Sequence, residues 1–283
     1  MYNTINISSY LNQHTADNPQ YVMFPFYRNN QPLLLSSPVW GMTLKSAGTM
    51  RFRWNEENPE RIRMLTKVCG RDDFVSLELI HSKTVYTINS KRETLMQAGD
   101  GMITDNIRLV PVVTVADCVP MYLFDPVKGC FGSFHSGWKG TGIIQNGIEQ
   151  MKRDFGSKSE DICAAIGPHI HKCCYNVNKE RADYFVSNFT PDCVKKIDGK
   201  EEYSLSLLEA NLSVLKSCGV KEENIVYAED CTCCSRLSNG DYPFGSFRRQ
   251  AAILPPDTDP DVRSRSMTVQ AAFCGYLISP YSL

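Results

Sequence analysis

Residues 108–140 read Arg108-Leu-Val-Pro-Val-Val-Thr-Val-Ala-Asp-Cys118-Val-Pro-Met-Tyr-Leu-Phe124-Asp-Pro-Val-Lys-Gly129-Cys-Phe-Gly-Ser-Phe-His135-Ser-Gly-Trp-Lys-Gly140. The runs Arg108–Ala116 and Val119–Phe124 are rich in β-branched and apolar residues, and Asp125-Pro-Val-Lys-Gly129 has the composition of a turn between hairpin partners. Past the second partner, Gly142–Phe155 carries Ile144, Ile148, Met151 and Phe155 at helical spacing. The order strand, turn, strand, helix puts two chemically notable side chains at element ends. Cys118 closes the first run, and His135 precedes a glycine-rich strand-to-helix turn, a common place for chemistry.

Upstream, Phe74-Val-Ser-Leu-Glu-Leu-Ile80 reads as a strand delivering His81, with Lys83-Thr-Val-Tyr-Thr-Ile-Asn89 as its continuation. His81, Cys118 and His135 therefore each sit where an apolar run gives way to a polar turn. Imidazole nitrogen and thiolate sulfur are donors that zinc prefers, and three protein ligands with a fourth position left to water is the catalytic pattern. Each residue also has a plainer reading: a hydrogen-bonded histidine at a strand end, or one more buried thiol.

The first forty residues alternate apolar and polar, as in Gln20-Tyr-Val-Met-Phe-Pro-Phe-Tyr27 and Gln31-Pro-Leu-Leu-Leu35, and are expected to be strands. A helix is expected from about Asn58 to Val68, with Ile62, Leu65 and Val68 on one face. Ser206-Leu-Leu-Glu209 is a capping-box signature, Leu208, Leu212 and Leu215 share the face that follows, and Gly219 suits the helix end. With no internal repeat or low-complexity stretch, residues 1–283 are taken as one domain.

Hydrophobic residues make up 42% of the 283 and charged residues 22%, so a sizeable core is available and disorder is not expected. A formal charge of -1 with mixed signs leaves no electrostatic footprint for nucleic acid or an acidic membrane, and the partners expected are small molecules. The N-terminus lacks the basic region and apolar core of a secretory signal, and no stretch approaches the ~20 apolar residues of a membrane span. A cytoplasmic location is expected, where the twelve cysteines stay reduced and mostly serve as small buried hydrophobes.

Four further segments sharpen the reading. Asp100-Gly-Met-Ile-Thr-Asp105, Val115-Ala-Asp-Cys-Val-Pro-Met121, Phe134-His-Ser-Gly-Trp-Lys-Gly140 and Ala165-Ile-Gly-Pro-His-Ile170 together closely resemble the laccase-domain family. This family is also called the multicopper polyphenol oxidoreductase family and includes bacterial purine nucleoside phosphorylases of unusual fold. The likeness continues through Cys174-Tyr-Asn-Val177, Cys231-Thr-Cys-Cys234 and Phe247-Arg-Arg249, and covers most of the chain after about residue 70. Departures are Leu79 and Ser82, where the family usually has Gln and Gly around its first histidine, and Lys139, where it usually has Arg.

The resemblance implies an α/β fold with a mixed sheet between helices, similar to the catalytic domain of a deamidating bacterial toxin. It maps the family's metal ligands onto His81, Cys118 and His135. It also implies phosphorolysis of adenosine, inosine, guanosine and methylthioadenosine, and hydrolytic deamination of adenosine, by a monomer or small homo-oligomer acting on purine nucleosides and phosphate. Phosphorolysis needs an anion site. The turn Gly137-Trp-Lys-Gly-Thr-Gly142 opens a helix, so its backbone N–H groups at Gly140, together with Lys139, are candidates to hold phosphate, with Arg249 and Arg248 as weaker ones. The alternative for these glycines is tight packing alone. Asp117 is a candidate to orient a ligand histidine or carry a proton, or else to cap a turn.

Other readings stay open. Cys118 with His135 would suit the nucleophile and base of a cysteine amidase or deamidase. Copper is possible as the metal, with phenol oxidation as its chemistry, although five histidines are too few for the usual multicopper cluster. In a non-catalytic zinc-stapled protein the fourth ligand would come from His169, His171, Cys173 and Cys174, or from Cys231, Cys233 and Cys234. Neither cluster carries the two cysteine pairs of a zinc ribbon, and both are expected to be ordinary thiols.

Overall fold

The computed structural model describes residues 1–14, 18–34 and 36–277. Its strands alternate their side chains between two interiors, and that alternation builds the architecture. In Val119–Phe124, Val119, Met121 and Leu123 enter one apolar cluster while Tyr122 and Phe124 enter another. In Val110–Val115, Val113 and Val115 join the second cluster, and Val110 and Val112 face a third. Gln270–Gly275 repeats the pattern, with Ala272 and Cys274 inward and Ala271 and Phe273 outward.

The result is two sheets packed face to face, each covered by helix on its outer side. The seven-stranded sheet runs in the order Asn3–Ile5, Ile225–Ala228, Cys163–Ile166, Val119–Phe124, Phe131–Ser136, Gly101–Thr104, Val85–Thr87. It mixes parallel and antiparallel pairs. The five-stranded sheet runs Tyr21–Pro25, Val39–Thr43, Gln270–Gly275, Val110–Val115, Phe74–Ser76. Between them the Tyr122 hydroxyl donates to the Gly41 carbonyl at 2.9 Å, which satisfies the one polar atom of a side chain fully buried in the apolar interlayer. Helices Ile143–Phe155 and Leu207–Ser217 pack on the seven-stranded sheet, and Pro59–Cys69 on the other. This is the expected mixed α/β class, with most of the described strands divided between these two sheets and the rest in a three-stranded and a two-stranded one.

The hairpin turn falls where expected: Asp125 accepts from the Val127 and Lys128 amides, and Val119–Phe124 pairs antiparallel with Phe131–Ser136. Ser206 caps the helix that follows it by accepting from the Glu209 amide at 3.2 Å. Three expectations need correction. Residues Ile7–His14 are helix, not strand. In Pro59–Cys69 the buried stripe is Arg61, Met64, Leu65 and Val68, and Ile62 is 54% exposed, because the phase that buries Leu65 and Val68 turns position 62 outward. Lys83–Asn89 does not continue the strand before His81, since Phe74–Ser76 and Val85–Thr87 lie in different sheets. Of the run Gln31–Leu35, Gln31–Pro32 is strand, and Leu35 lies outside the described residues. Among the described residues no helix is long and apolar enough to cross a membrane.

Candidate active site

The chain passes from the five-stranded sheet to the seven-stranded sheet twice, between Ser76 and Val85 and between Val115 and Val119. His81 lies on the first crossing and Cys118 on the second. Both crossings turn through the left-handed region, at His81 (φ 58°) and at Asp117 (φ 80°), conformations that a non-glycine residue adopts only when its surroundings hold it there. The third member, His135, comes from the strand Phe131–Ser136, whose register places it opposite Pro120. Donor atoms of His81, Cys118 and His135 thereby lie within 4.8 Å of one another, with His135 buried, Cys118 half-buried and His81 exposed.

Asp100, fully buried, holds this arrangement in place. Its Oδ1 accepts from the His135 ring at Nδ1 (2.8 Å) and from the His81 backbone amide (3.0 Å). Its Oδ2 accepts from the Ser82 amide (2.6 Å) and hydroxyl (2.7 Å). By accepting the hydrogen bond from Nδ1–H, Asp100 leaves Nε2 of His135 as the nitrogen available to a metal, the way a carboxylate sets the tautomer of a metal-ligating histidine. Burial raises the Asp100 carboxyl, but the hydrogen bonds from His135 and Ser82 outweigh it and hold the group below its ordinary value. Burial would likewise push the Cys118 thiol up, yet the His135 and His81 imidazoles bring it down to about 6. Burial lowers His135, and the Cys118 thiolate with Asp100 then raises it to about 9. The site thus favours a Cys118 thiolate beside a protonated His135. Room for it depends on Gly137, where a Cβ would stand 3.0 Å from the His81 ring and 3.2 Å from the Cys118 sulfur.

Asp117 does not touch the histidines. Its carboxylate accepts from the Thr232 hydroxyl (2.6 Å), the Ser246 hydroxyl (2.9 Å) and the Arg248 amide (2.6 Å), binding the Cys118 crossing to two distant loops. Arg249 spends its guanidinium on the carbonyls of Thr232, Cys233 and Phe244 and stacks on Tyr242. Gly140 packs against the Ser82 carbonyl, where a Cβ would meet the oxygen at 2.8 Å. Lys139 is exposed, its ammonium 5.4 Å from the centre of the Trp138 ring.

Beside Lys139 stands a group of which the sequence singled out only Arg248, as a weaker phosphate candidate. The Arg181 guanidinium stacks on Trp138 at 4.1 Å and donates to the Tyr175 hydroxyl at 3.3 Å, while Arg248 lies over the Tyr175 ring at 5.6 Å. The Arg248 amide on Asp117 and the place of Trp138 next to Gly137 set this aromatic and basic wall beside the cluster. Asp100 was also missed, although it opens a quoted motif. Its signal was an acid directly before the apolar strand Gly101–Thr104, where solvation alone would not place one.

In class, the chain is a mixed α/β enzyme with a histidine, cysteine, histidine cluster where its two sheets exchange the chain. It belongs to the family described as multi-copper polyphenol oxidoreductase laccase, whose model matches residues 55–253. It is 34% identical to a purine nucleoside phosphorylase of Clostridium acetobutylicum over 69% of this chain and 78% of that one. It is 36% identical to purine nucleoside phosphorylase YlmD of Bacillus subtilis over 49% of this chain, a stretch that spans about half (51%) of that relative. It is 31% identical to a protein named adenosine deaminase RL5, from an unknown prokaryotic organism, over 59% of this chain and 68% of that one. Among solved structures, YlmD of Geobacillus stearothermophilus superposes with a TM-score of 0.69 at 25% identity, covering 85% of this chain and 92% of that one.

Proposed function

We propose that the chain is a zinc-dependent purine nucleoside enzyme, catalysing phosphorolysis of adenosine, inosine, guanosine and methylthioadenosine and hydrolytic deamination of adenosine in the cytoplasm. The observation that carries this reading is the convergence of His81, Cys118 and His135 around a point that Gly137 keeps clear, with Asp100 fixing the His135 tautomer. Two imidazoles and a thiolate suit zinc as three ligands of an open site. The names of the relatives supply the substrate class.

When bound, zinc supplies Lewis-acid activation of a water nucleophile for attack on the purine carbon bearing the amino group. The remaining work falls to the chain. Asp100 holds the His135 ring, and the thiolate of Cys118 stays charged because both imidazoles face it. The half-buried indole of Trp138 is of the size of a purine, and Arg181, Arg248 and Lys139 offer cationic donors around it and the buried Tyr175. For phosphorolysis these cations hold phosphate while its oxygen attacks the sugar carbon and the bond to the base breaks. Lys139 and Arg181 fit that role better than Arg249, whose donors are engaged. Gly140 contributes close packing.

The test is chromatography after incubating zinc-loaded protein with adenosine, with and without phosphate. Adenine with ribose phosphate only when phosphate is present, and inosine in both, is expected; no conversion by fully loaded protein overturns the proposal. Replacing Arg181 by Ala is expected to raise the phosphate requirement while sparing deamination.

A second reading has an observation of its own. Cys118, His135 and Asp100 form a chain of thiolate, imidazole and orienting carboxylate, the arrangement of a nucleophile, base and orienter in cysteine hydrolases. Full activity of metal-free protein would favour it. Copper-dependent phenol oxidation has less support, five histidines being few for such chemistry.

A further inference from the structure

The loops that back the Cys118 crossing carry a second convergence of soft donors. Cys173 and Cys174, from one turn, and Cys231 and Cys234, from another, bring their four sulfurs within 4.8 Å of one another. We infer that these four thiols form a tetrahedral zinc site, structural in role and separate from the His81, Cys118 and His135 cluster. The inference does not depend on how that other cluster is used.

Geometry and local backbone both support it. Four sulfurs about 2.3 Å from a tetrahedral zinc stand roughly 3.8 Å apart, and the Cys173 and Cys234 sulfurs are 3.6 Å apart. Cys231-Thr-Cys-Cys234 has the two-residue spacing of a zinc-binding turn, which a search for paired spacings within one cluster passes over because its partner pair, Cys173-Cys174, lies in the other. The Cys231 sulfur accepts the backbone amide of His171 at 3.4 Å, a contact that suits a metal-bound thiolate better than a neutral thiol. The two turns are already aligned, with His169 and Cys231 bridged as parallel neighbours and the Thr232 amide donating to the His169 carbonyl at 3.0 Å. Cys173 and Cys234 are exposed, so burial as small hydrophobes does not account for them. One disulfide would leave two of the four sulfurs without a partner, whereas two would use all four, so the redox state of these cysteines distinguishes that pairing from zinc. Four thiolates leave no open coordination position, which makes the site a staple and not a catalyst.

What it would staple is the wall behind the first cluster. The Ile170 amide donates to the Asp117 carbonyl, and Thr232 donates to the Asp117 carboxylate. Arg249 ties the Thr232 and Cys233 carbonyls to the same region.

The test counts zinc per chain in the purified full-length protein by mass spectrometry, for the wild type and for Cys231→Ser/Cys234→Ser. The double variant is expected to hold one zinc fewer than the wild type, and an equal count overturns the site. Should the variant not fold, the wild type decides. Exposed Cys173 and Cys234 are expected to resist alkylation until a chelator is added. Labelling at equal rates with and without chelator, or recovery of these cysteines joined by a disulfide, overturns it.

Discussion

Asp100 carries more of the site than any ligand does. One carboxylate accepts from the His135 ring, the His81 amide and both donors of Ser82, so replacing it by Asn substitutes an N–H2 for an acceptor and leaves at least one of these donors facing another donor. Asp100→Asn is expected to cost on the order of 10- to 100-fold in activity or zinc affinity, read as kcat/KM beside zinc content, and to lower the melting temperature as well, because a buried donor loses its acceptor. Gly137→Ala tests the clearance at the centre of the cluster. Its methyl would press on the His81 ring and the Cys118 sulfur, and a displacement of this kind is expected to lower kcat/KM roughly 100-fold in a protein that still folds. At this scale His81, Cys118 and His135 were legible because soft donors at the ends of apolar runs are few. Of the two roles open to Asp117, its bonds to Thr232, Ser246 and Arg248 match the one that serves the fold, and at φ 80° strand alternation no longer says where its side chain points.

Elements explain where sequence patterns carry and where they stop. The hairpin from Val119 to Ser136 and the helix from Ile143 to Phe155 were legible because their apolar periods match their burial. The helix Ile7–His14 was not. Its first amides, at Ile7 and Ser8, are satisfied by the carboxylate of Asp230, a cap that no local window contains. The two crossings were illegible for a similar reason, since which sheet a strand joins is settled by distant partners. Asp117 belongs to this scale, because its three side-chain acceptor bonds pin one crossing to residues 232 and 246–248. Asp117→Ala leaves buried donors without a partner and is expected to destabilise by about 3 kcal/mol, seen as a lower urea midpoint at unchanged slope, with Asp117→Asn milder.

In the whole molecule, stability and chemistry are divided between layers. The interlayer between the sheets is apolar, filled by Trp40, Tyr122, Phe131 and their neighbours, while the candidate metal ligands gather where the chain leaves one sheet for the other. Those positions are ones that the periodicity of any one strand cannot reveal, and the family likeness supplied what periodicity could not. The most direct test of the account is the initial rate of adenosine conversion by one preparation as isolated, after chelation, and after zinc is returned, run beside Cys118→Ser. The rate is expected to vanish on chelation and to return with zinc only in the chain that keeps Cys118. A chelated protein that retains its full rate, or a Cys118→Ser variant that recovers it, would contradict the assignment of His81, Cys118 and His135 as the metal site of a nucleoside enzyme.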